Sequence, residues 1–272
     1  MWATKIARSD NPTRLARTPG PTNMTPPPEK RPAPSDPPNH GGRPVAGIVV
    51  AAGKGRRFGG GDNKVLYPLD GRPIWSHAVE ALRASGQIGE IVVVIRPEDR
   101  DGFAPLAGRC GVRLVDGGQE RYDSVRAGLD AIREIDASAG LAAAQRWVAV
   151  HDAARPLVPI DDVVRVIEKS VLTGAAILAT PIRGTIKRRD PGGHTTTVPR
   201  DELWEALTPQ VFRFDIISAA YSRWRGRPVT DDAEMVERSG FPVTLVPGSA
   251  ENLKITHAED LALAQAILSR RR

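Results

Sequence analysis

From residue 45 onward the chain alternates short apolar runs with longer segments of helical spacing. Residues 45–51, VAGIVVA, form an apolar run followed by Gly53 and Gly55, the pattern of a buried strand. In residues 73–84, Ile74, Ala78, Val79 and Leu82 share one helical face, and Pro73 suits the first helical position, where its missing N–H costs no bond. The run 91–95, IVVVI, predicts a second buried strand, and 112–115 a shorter third. Helix is predicted over 124–135, strand over 147–151, helix over 161–171 and strand over 175–180. Such alternation implies βαβ units and a Rossmann-like, mostly parallel α/β sheet. Two stretches depart from it. Residues 185–198 carry β-type residues on both sides of Asp190-Pro191-Gly192-Gly193, a turn signal, and read as a hairpin protruding from the sheet. Residues 243–246 and 253–255 then read as short strands. A last helix follows, opened by a capping box of Thr256 and Glu259 and continued by Leu261, Ala264, Gln265 and Leu268.

Residues 1–44 lack this periodicity and hold 11 of the 24 prolines. A segment of this kind buries too little surface to offset its ordering entropy, so it reads as a disordered Pro/Arg-rich tail ahead of a domain over 45–272. Two other readings stand beside it: a transit peptide carrying Arg8, Arg14 and Arg17, or translation from Met24. The tail's seven bases and three acids supply +4 of the chain's +6. The remaining domain is near neutrality, which argues against a broad nucleic-acid face. A single cysteine, Cys110, excludes a disulfide framework and a multi-Cys zinc site, and the five histidines include no H-E-x-x-H. Apolar stretches shorter than ten residues cannot span a membrane, and no apolar segment follows Met1. The expectation is a cytoplasmic protein without a membrane partner, and with no second catalytic domain after Arg272.

Candidate chemistry concentrates after the first strand, in Ala51-Ala52-Gly53-Lys54-Gly55-Arg56-Arg57-Phe58 and then Asn63-Lys64-Val65-Leu66. Glycines let a backbone approach a ligand closely, and exposed N–H groups can meet phosphate oxygens. The stretch is neither a Walker A loop nor a G-x-G-x-x-G, because position 58 is Phe. Further pieces follow the later strands: residues 115–125 (VDGGQERYDSV), 150–156 (VHDAARP), 207–210 (LTPQ), 229–233 (VTDDA) and 252–256 (NLKIT). This ordered set, over roughly 45–270, resembles the 2-C-methyl-D-erythritol 4-phosphate cytidylyltransferase family. Ribitol-5-phosphate cytidylyltransferases share much of it, so the motifs leave the sugar-alcohol phosphate open. A non-catalytic nucleotide-binding protein on the same fold is the alternative of another class.

The resemblance implies CTP as donor, pyrophosphate as leaving group and a nucleotidyltransferase-type sheet. The nucleophile would be the acceptor's own phosphate, so no general base is needed. Charge building on the α-phosphate then calls for fixed cations. Arg57 and Lys64 match the positions that stabilise that transition state, and Arg200 and Lys254 complete the catalytic set. Ala51, Ala52, Gly53, Gly118 and Ser124 match nucleotide-binding positions; Gln119 stands where some relatives carry Asp. Asp152, Arg155, Thr185, Thr208 and Thr230 match acceptor-binding positions. His151 reads as a packed residue, and Lys54 and Arg56 as solvated charges. A salt bridge between Asp152 and Arg155 is the bland reading of that pair. A divalent ion, Mg²⁺, is implied on the triphosphate, held mainly by phosphate oxygens and water, with no protein ligand assigned. The hairpin 185–198 is implied to embrace a second subunit in a homodimer.

Overall fold

The structure, a computed structural model, describes residues 44–53, 55, 58, 63–143, 146–224 and 229–271. The first part of the chain gives β1 (Val45–Val50), the short ribbon β2 (Pro68–Leu69) and β3 (Arg72–Pro73), α1 (Ile74–Ala84), β4 (Ile88–Ile95), α2 (Arg100–Ala107), β5 (Arg113–Asp116) and α3 (Arg121–Ser138). The second gives β6 (Trp147–Asp152), α4 (Ile160–Thr173), β7 (Ala175–Pro181), β8 (Ile186–Arg189), β9 (Thr195–Val198), β10 (Trp204–Arg213), α5 (Phe214–Arg223), α6 (Asp232–Arg238), β11 (Thr244–Pro247) and α7 (Glu259–Arg270). Seven strands form one sheet in the order β11-β7-β10-β6-β1-β4-β5, in which only β10 runs against its neighbours. The mostly parallel α/β sheet and the β8–β9 hairpin expected from the pattern are both present.

Side chains alternate across the sheet. Val45, Val49, Val93 and Ile95 pack with Trp75, Leu82, Phe103 and Val166 beneath α1, α2 and α4. Ala46, Ile48, Val92 and Val94 pack with Val125, Leu129, Ile217 and Val236 beneath α3, α5 and α6. Burial on both faces is why these strands read as continuous apolar runs rather than as alternating ones. α7 closes a third cluster, with Ala264 beside Leu69, Leu157 and Ile255. Among the described residues no helix is long and apolar enough to cross a membrane.

β10 was not among the expected strands. Pro209 argues against a central strand, since it cannot donate to a ladder. The fold accommodates it in an irregular stretch between Ala206 and Gln210, where the β10–β7 register shifts. The expected strand at 253–255 does not form: Ile255 N–H reaches the Ala154 carbonyl at 2.8 Å, in a loop beyond the end of β6 where there is no strand edge to pair with. The box expected at Thr256 and Glu259 is also corrected. The Asp260 carboxylate accepts from the Thr256 and His257 N–H groups at 2.7 and 2.8 Å, and Glu259 is already the first helical residue. α3 begins at Arg121, three residues before the expected start at 124, because Glu120 and Asp123 close a capping box there.

Candidate functional site

The strand order reverses between β1 and β6: the chain moves outward through β4 and β5, then returns to pair β6 with the other edge of β1. At such a switch point the loops leaving two parallel strands diverge, and the crevice lies at their carboxyl ends. Val50 is opposite Asp152 in this register, so the residues after both strands meet there. The crevice holds a cavity of about 390 Å³ lined by Ala51, Ala52, Gly53, Lys64, Gly118, Arg121, Ser124, Asp152 and Lys254, among others. A second cavity of about 240 Å³ is lined by Arg121, Asp152, Arg155, Thr208, Thr230 and Lys254, among others. The two therefore adjoin at Arg121, Asp152 and Lys254.

One wall of the first cavity is the start of α3. Its first N–H groups and helix dipole favour an anion. The approach is tight. A Cβ on Gly117 would stand 2.7 Å from Ser124 Oγ, and one on Gly118 would stand 2.2 Å from Asp123 Cβ, so both positions demand glycine. Ser124 is buried, with its hydroxyl donating to the Glu120 carbonyl at 3.2 Å. The opposite wall is the loop after β1 together with Lys64, which opens a single helical turn (Lys64–Leu66). Lys64 lies close enough to Asp260 to lower that carboxyl, after the larger effects of the His257 and Thr256 N–H groups.

Between the cavities lies a network of alternating charge. Asp152 Oδ2 accepts from Lys254 Nζ at 2.7 Å and stands 3.8 Å from Arg155 Nε, while its Oδ1 is 3.9 Å from Arg121 Nε. Burial opposes ionisation of Asp152, but Lys254, Arg121 and Arg155 override it and hold the carboxyl well below the usual range. The salt bridge expected between Asp152 and Arg155 is present, yet Lys254 is the nearer partner. Burial lowers the Arg155 guanidinium. Arg155 donates to the Asn252 carbonyl at 2.7 Å, and Asn252 in turn donates to the Thr208 carbonyl at 2.7 Å. The Thr208 hydroxyl accepts the Asp152 N–H at 3.1 Å and sits 3.0 Å from His151 Nδ1. His151 Nε2 donates to the Arg155 carbonyl at 3.0 Å, which leaves Nδ1 to accept from Thr208. The ring is wholly buried, as a packed residue should be, and burial pushes its pKa down to about 4.

Arg121 was absent from the expected site. Its guanidinium forks onto the fully buried Asp232 at 2.9 and 2.6 Å, and Tyr221 donates its hydroxyl to the same carboxylate. Burial works against the Arg121 charge, but Asp232 outweighs it and raises the pKa far above the usual arginine value. The available signal was its place: a cation in the first turn of a helix opposes the dipole and so needs another reason to be there. Asp231 caps α6, accepting the Glu234 N–H at 2.9 Å, whereas Asp232 serves Arg121 instead. Thr230 lines the second cavity and is held by Glu234, which accepts from its N–H at 2.9 Å.

Of the expected residues, Ala51, Ala52, Gly53, Gly118, Ser124, Lys64, Asp152, Arg155, Thr208, Thr230 and Lys254 come together around the two cavities. Thr185 and Arg200 line neither; both belong to the arm, where Arg200 donates to the Arg183 carbonyl. Arg57, with Lys54 and Arg56, lies outside the described residues. Among the described residues no three His, Cys, Asp or Glu side chains gather as a metal cluster. Of the acids on the first cavity, Asp152 is engaged by Lys254 and Glu120 caps α3. Such a donor set fits an ion carried by phosphate oxygens and water, with Asp152 as an outer partner.

A helix N-terminus, a close-approaching glycine loop and several cations at a switch point make an α/β crevice suited to anionic groups. Comparison with known proteins narrows this. The family pattern of IspD, 2-C-methyl-D-erythritol 4-phosphate cytidylyltransferase, matches residues 45–270. An enzyme of that name from Rhodopirellula baltica is 47% identical over 231 residues, covering 83% of this chain and 95% of its own. One from Frankia casuarinae is 45% identical over 229 residues, covering 83% of this chain and 82% of its own. The crystal structure of the Thermus thermophilus enzyme superposes with a TM-score of 0.68 at 31% identity, over 84% of this chain and 100% of the other. The chain belongs to the 2-C-methyl-D-erythritol 4-phosphate cytidylyltransferase family.

Proposed function

We propose that the protein transfers a cytidylyl group from CTP to 2-C-methyl-D-erythritol 4-phosphate, giving 4-diphosphocytidyl-2-C-methyl-D-erythritol and pyrophosphate, a step of isoprenoid precursor synthesis in the cytoplasm. The observation that carries this is the pair of adjoining cavities sharing Arg121, Asp152 and Lys254. One takes the nucleotide and the other the acceptor phosphate, and the reacting oxygen and α-phosphorus meet at the shared wall. An oxygen of the acceptor phosphate bonds to the α-phosphorus as the bond to the bridging α–β oxygen breaks, and pyrophosphate leaves with that electron pair. No proton need move in this step. Ala51, Ala52 and Gly53 offer main chain to the nucleotide, and Gly118 and Ser124 hold the base and ribose. Lys64 and Arg57 meet the charge that builds on the transferred group, and Arg121 adds to the positive field of the nucleotide cavity. Lys254 fixes the acceptor phosphate, oriented by Asp152; Arg155, Thr208 and Thr230 complete that cavity.

A divalent ion, Mg²⁺, accompanies the triphosphate and neutralises part of its charge. The working unit is a two-fold homodimer in which Thr185 and Arg200 of each arm serve the neighbour's acceptor cavity. The support is that the arm is exposed and, among the described residues, its two strands pair only with each other, while an isolated hairpin is marginal in water. Incubation with CTP, Mg²⁺ and methylerythritol phosphate should yield pyrophosphate and a product with two coupled phosphorus signals. Its absence would refute this reading.

A further inference from the structure

Lys64 projects from a turn whose first anchor is its neighbour Asn63. Asn63 is 2% exposed, and all the hydrogen-bonding groups of its carboxamide are used. Nδ2 donates to the Ala51 carbonyl at 2.7 Å and to Asp99 Oδ2 at 2.8 Å; Oδ1 accepts the Val65 N–H at 3.3 Å and so caps the turn. Asp99 is itself held by Arg96, whose Nε and Nη2 each donate at 2.7 Å. Arg96 and Asp99 belong to the segment directly after β4, the neighbour of β1. A hydrogen-bonded chain thus runs Arg96, Asp99, Asn63, Ala51, from outside both cavities to the end of β1 and the base of Lys64.

We infer that Asn63, braced by Asp99 and Arg96, is a positioning residue that fixes Lys64 against the nucleotide cavity. A reacting cation works only if its direction is set before charge develops, and a displacement of about 1 Å can cost roughly a hundredfold in rate. A carboxamide is the group this junction requires. Its two donors meet two acceptors, and an aspartate of the same shape would face both the Ala51 carbonyl and the Asp99 carboxylate without a proton to give.

The inference rests on Lys64 acting in cytidylyl transfer, and the test separates the two ideas. Asn63→Ala and Asp99→Ala are made singly and in a Lys64→Ala background, with kcat and KM for CTP measured alongside the thermal midpoint. Each single variant is expected to lower kcat by about 10- to 100-fold with KM changed by less than about threefold. In the Lys64→Ala background the same changes should lower kcat by less than about twofold, because residues acting through one another are not additive. Amide hydrogen exchange is followed in parallel. Val65, Leu66 and Tyr67, whose N–H groups close this turn, should exchange at least about tenfold faster in both variants while β1 and β4 are unchanged. Unchanged exchange at these three amides, or an equal loss of kcat in both backgrounds when Lys64→Ala alone is itself impaired, overturns the latch. Faster exchange with no dependence of kcat on Lys64 would instead keep the latch and refute the catalytic role of Lys64.

Discussion

Both the switch-point crevice and the β8–β9 arm present basic side chains, but one folded chain holds them in different ways. In the crevice Arg155 and Asp152 are buried, and each bond leads to another: Arg155 to Asn252, Asn252 to Thr208, Thr208 to Asp152. In the arm Lys187, Arg188 and Arg189 are exposed, and the strands bond to one another across the register Ile186 to Val198. Its turn is closed locally, Gly193 and His194 N–H donating to Asp190. The crevice is arranged before any ligand arrives. In the proposed homodimer the arm is the element completed from outside the chain. Fixed donors act without reorganising as charge develops, so the crevice is suited to rate and the arm to assembly.

The largest expected effect belongs to the crevice. Lys64→Ala should lower kcat by about 10²–10³ with little change in KM for CTP, the pattern of an interaction made in the transition state. Near-normal kcat would reduce Lys64 to a surface charge and remove the contrast with the arm.

The arm is tested by mixing. Lys64→Ala and Arg200→Ala proteins should each be poor alone. Unfolded and refolded together, they would form mixed dimers in which one site carries both defects and the other neither. With random pairing, roughly a quarter of the unsubstituted activity should return. If mixed dimers form and activity stays at the average of the two variants, Arg200 serves its own chain.

A smaller effect is thermodynamic. His151 is buried neutral, with its pKa pushed down to about 4 from 6.5. Between these values the unfolded chain takes up a proton that the folded one refuses, so stability rises with pH across this window and falls as pH drops below about 6.5. One proton corresponds to at most about 1.4 kcal/mol per pH unit. Burial lowers His77 as well, in the same direction. His151→Asn should flatten the dependence of the urea midpoint on pH between 6.5 and 4.5, even if it lowers stability at pH 7. An unchanged slope would show that His151 is charged or solvent-accessible in the folded protein.

Regions where one rule acts alone could be read from residues directly. β1, β4, β6 and β7 are apolar on both faces and flanked by turns, and α1 and α4 carry one apolar stripe each. β10 could not, because Pro209 breaks the local rule and only the tertiary irregularity between Ala206 and Gln210 accommodates it. Lys254 lies between the apolar Leu253 and Ile255 in a stretch expected as a strand, yet its setting is a loop: burial of Ile255 against α7 produces the same apolar spacing as a strand. Arg121 escaped notice because its partner is 111 residues away, a separation that no local spacing rule reaches. The arm itself was visible as a hairpin around a turn signal, while its partner surface was supplied by resemblance alone.

The most direct test of the account is a comparison of kcat/KM for the purified protein with CTP or UTP as donor and methylerythritol phosphate or ribitol 5-phosphate as acceptor. If main chain at Gly118 and Ser124 hold cytosine as proposed, the pocket should reject uracil through mispaired donors and acceptors, and sites that hydrogen-bond their substrate can discriminate by about 10⁴. The account predicts that CTP with methylerythritol phosphate exceeds every other pair by at least about a hundredfold, with stoichiometric pyrophosphate release. Equal rates with UTP, or a preference for ribitol 5-phosphate, would contradict it.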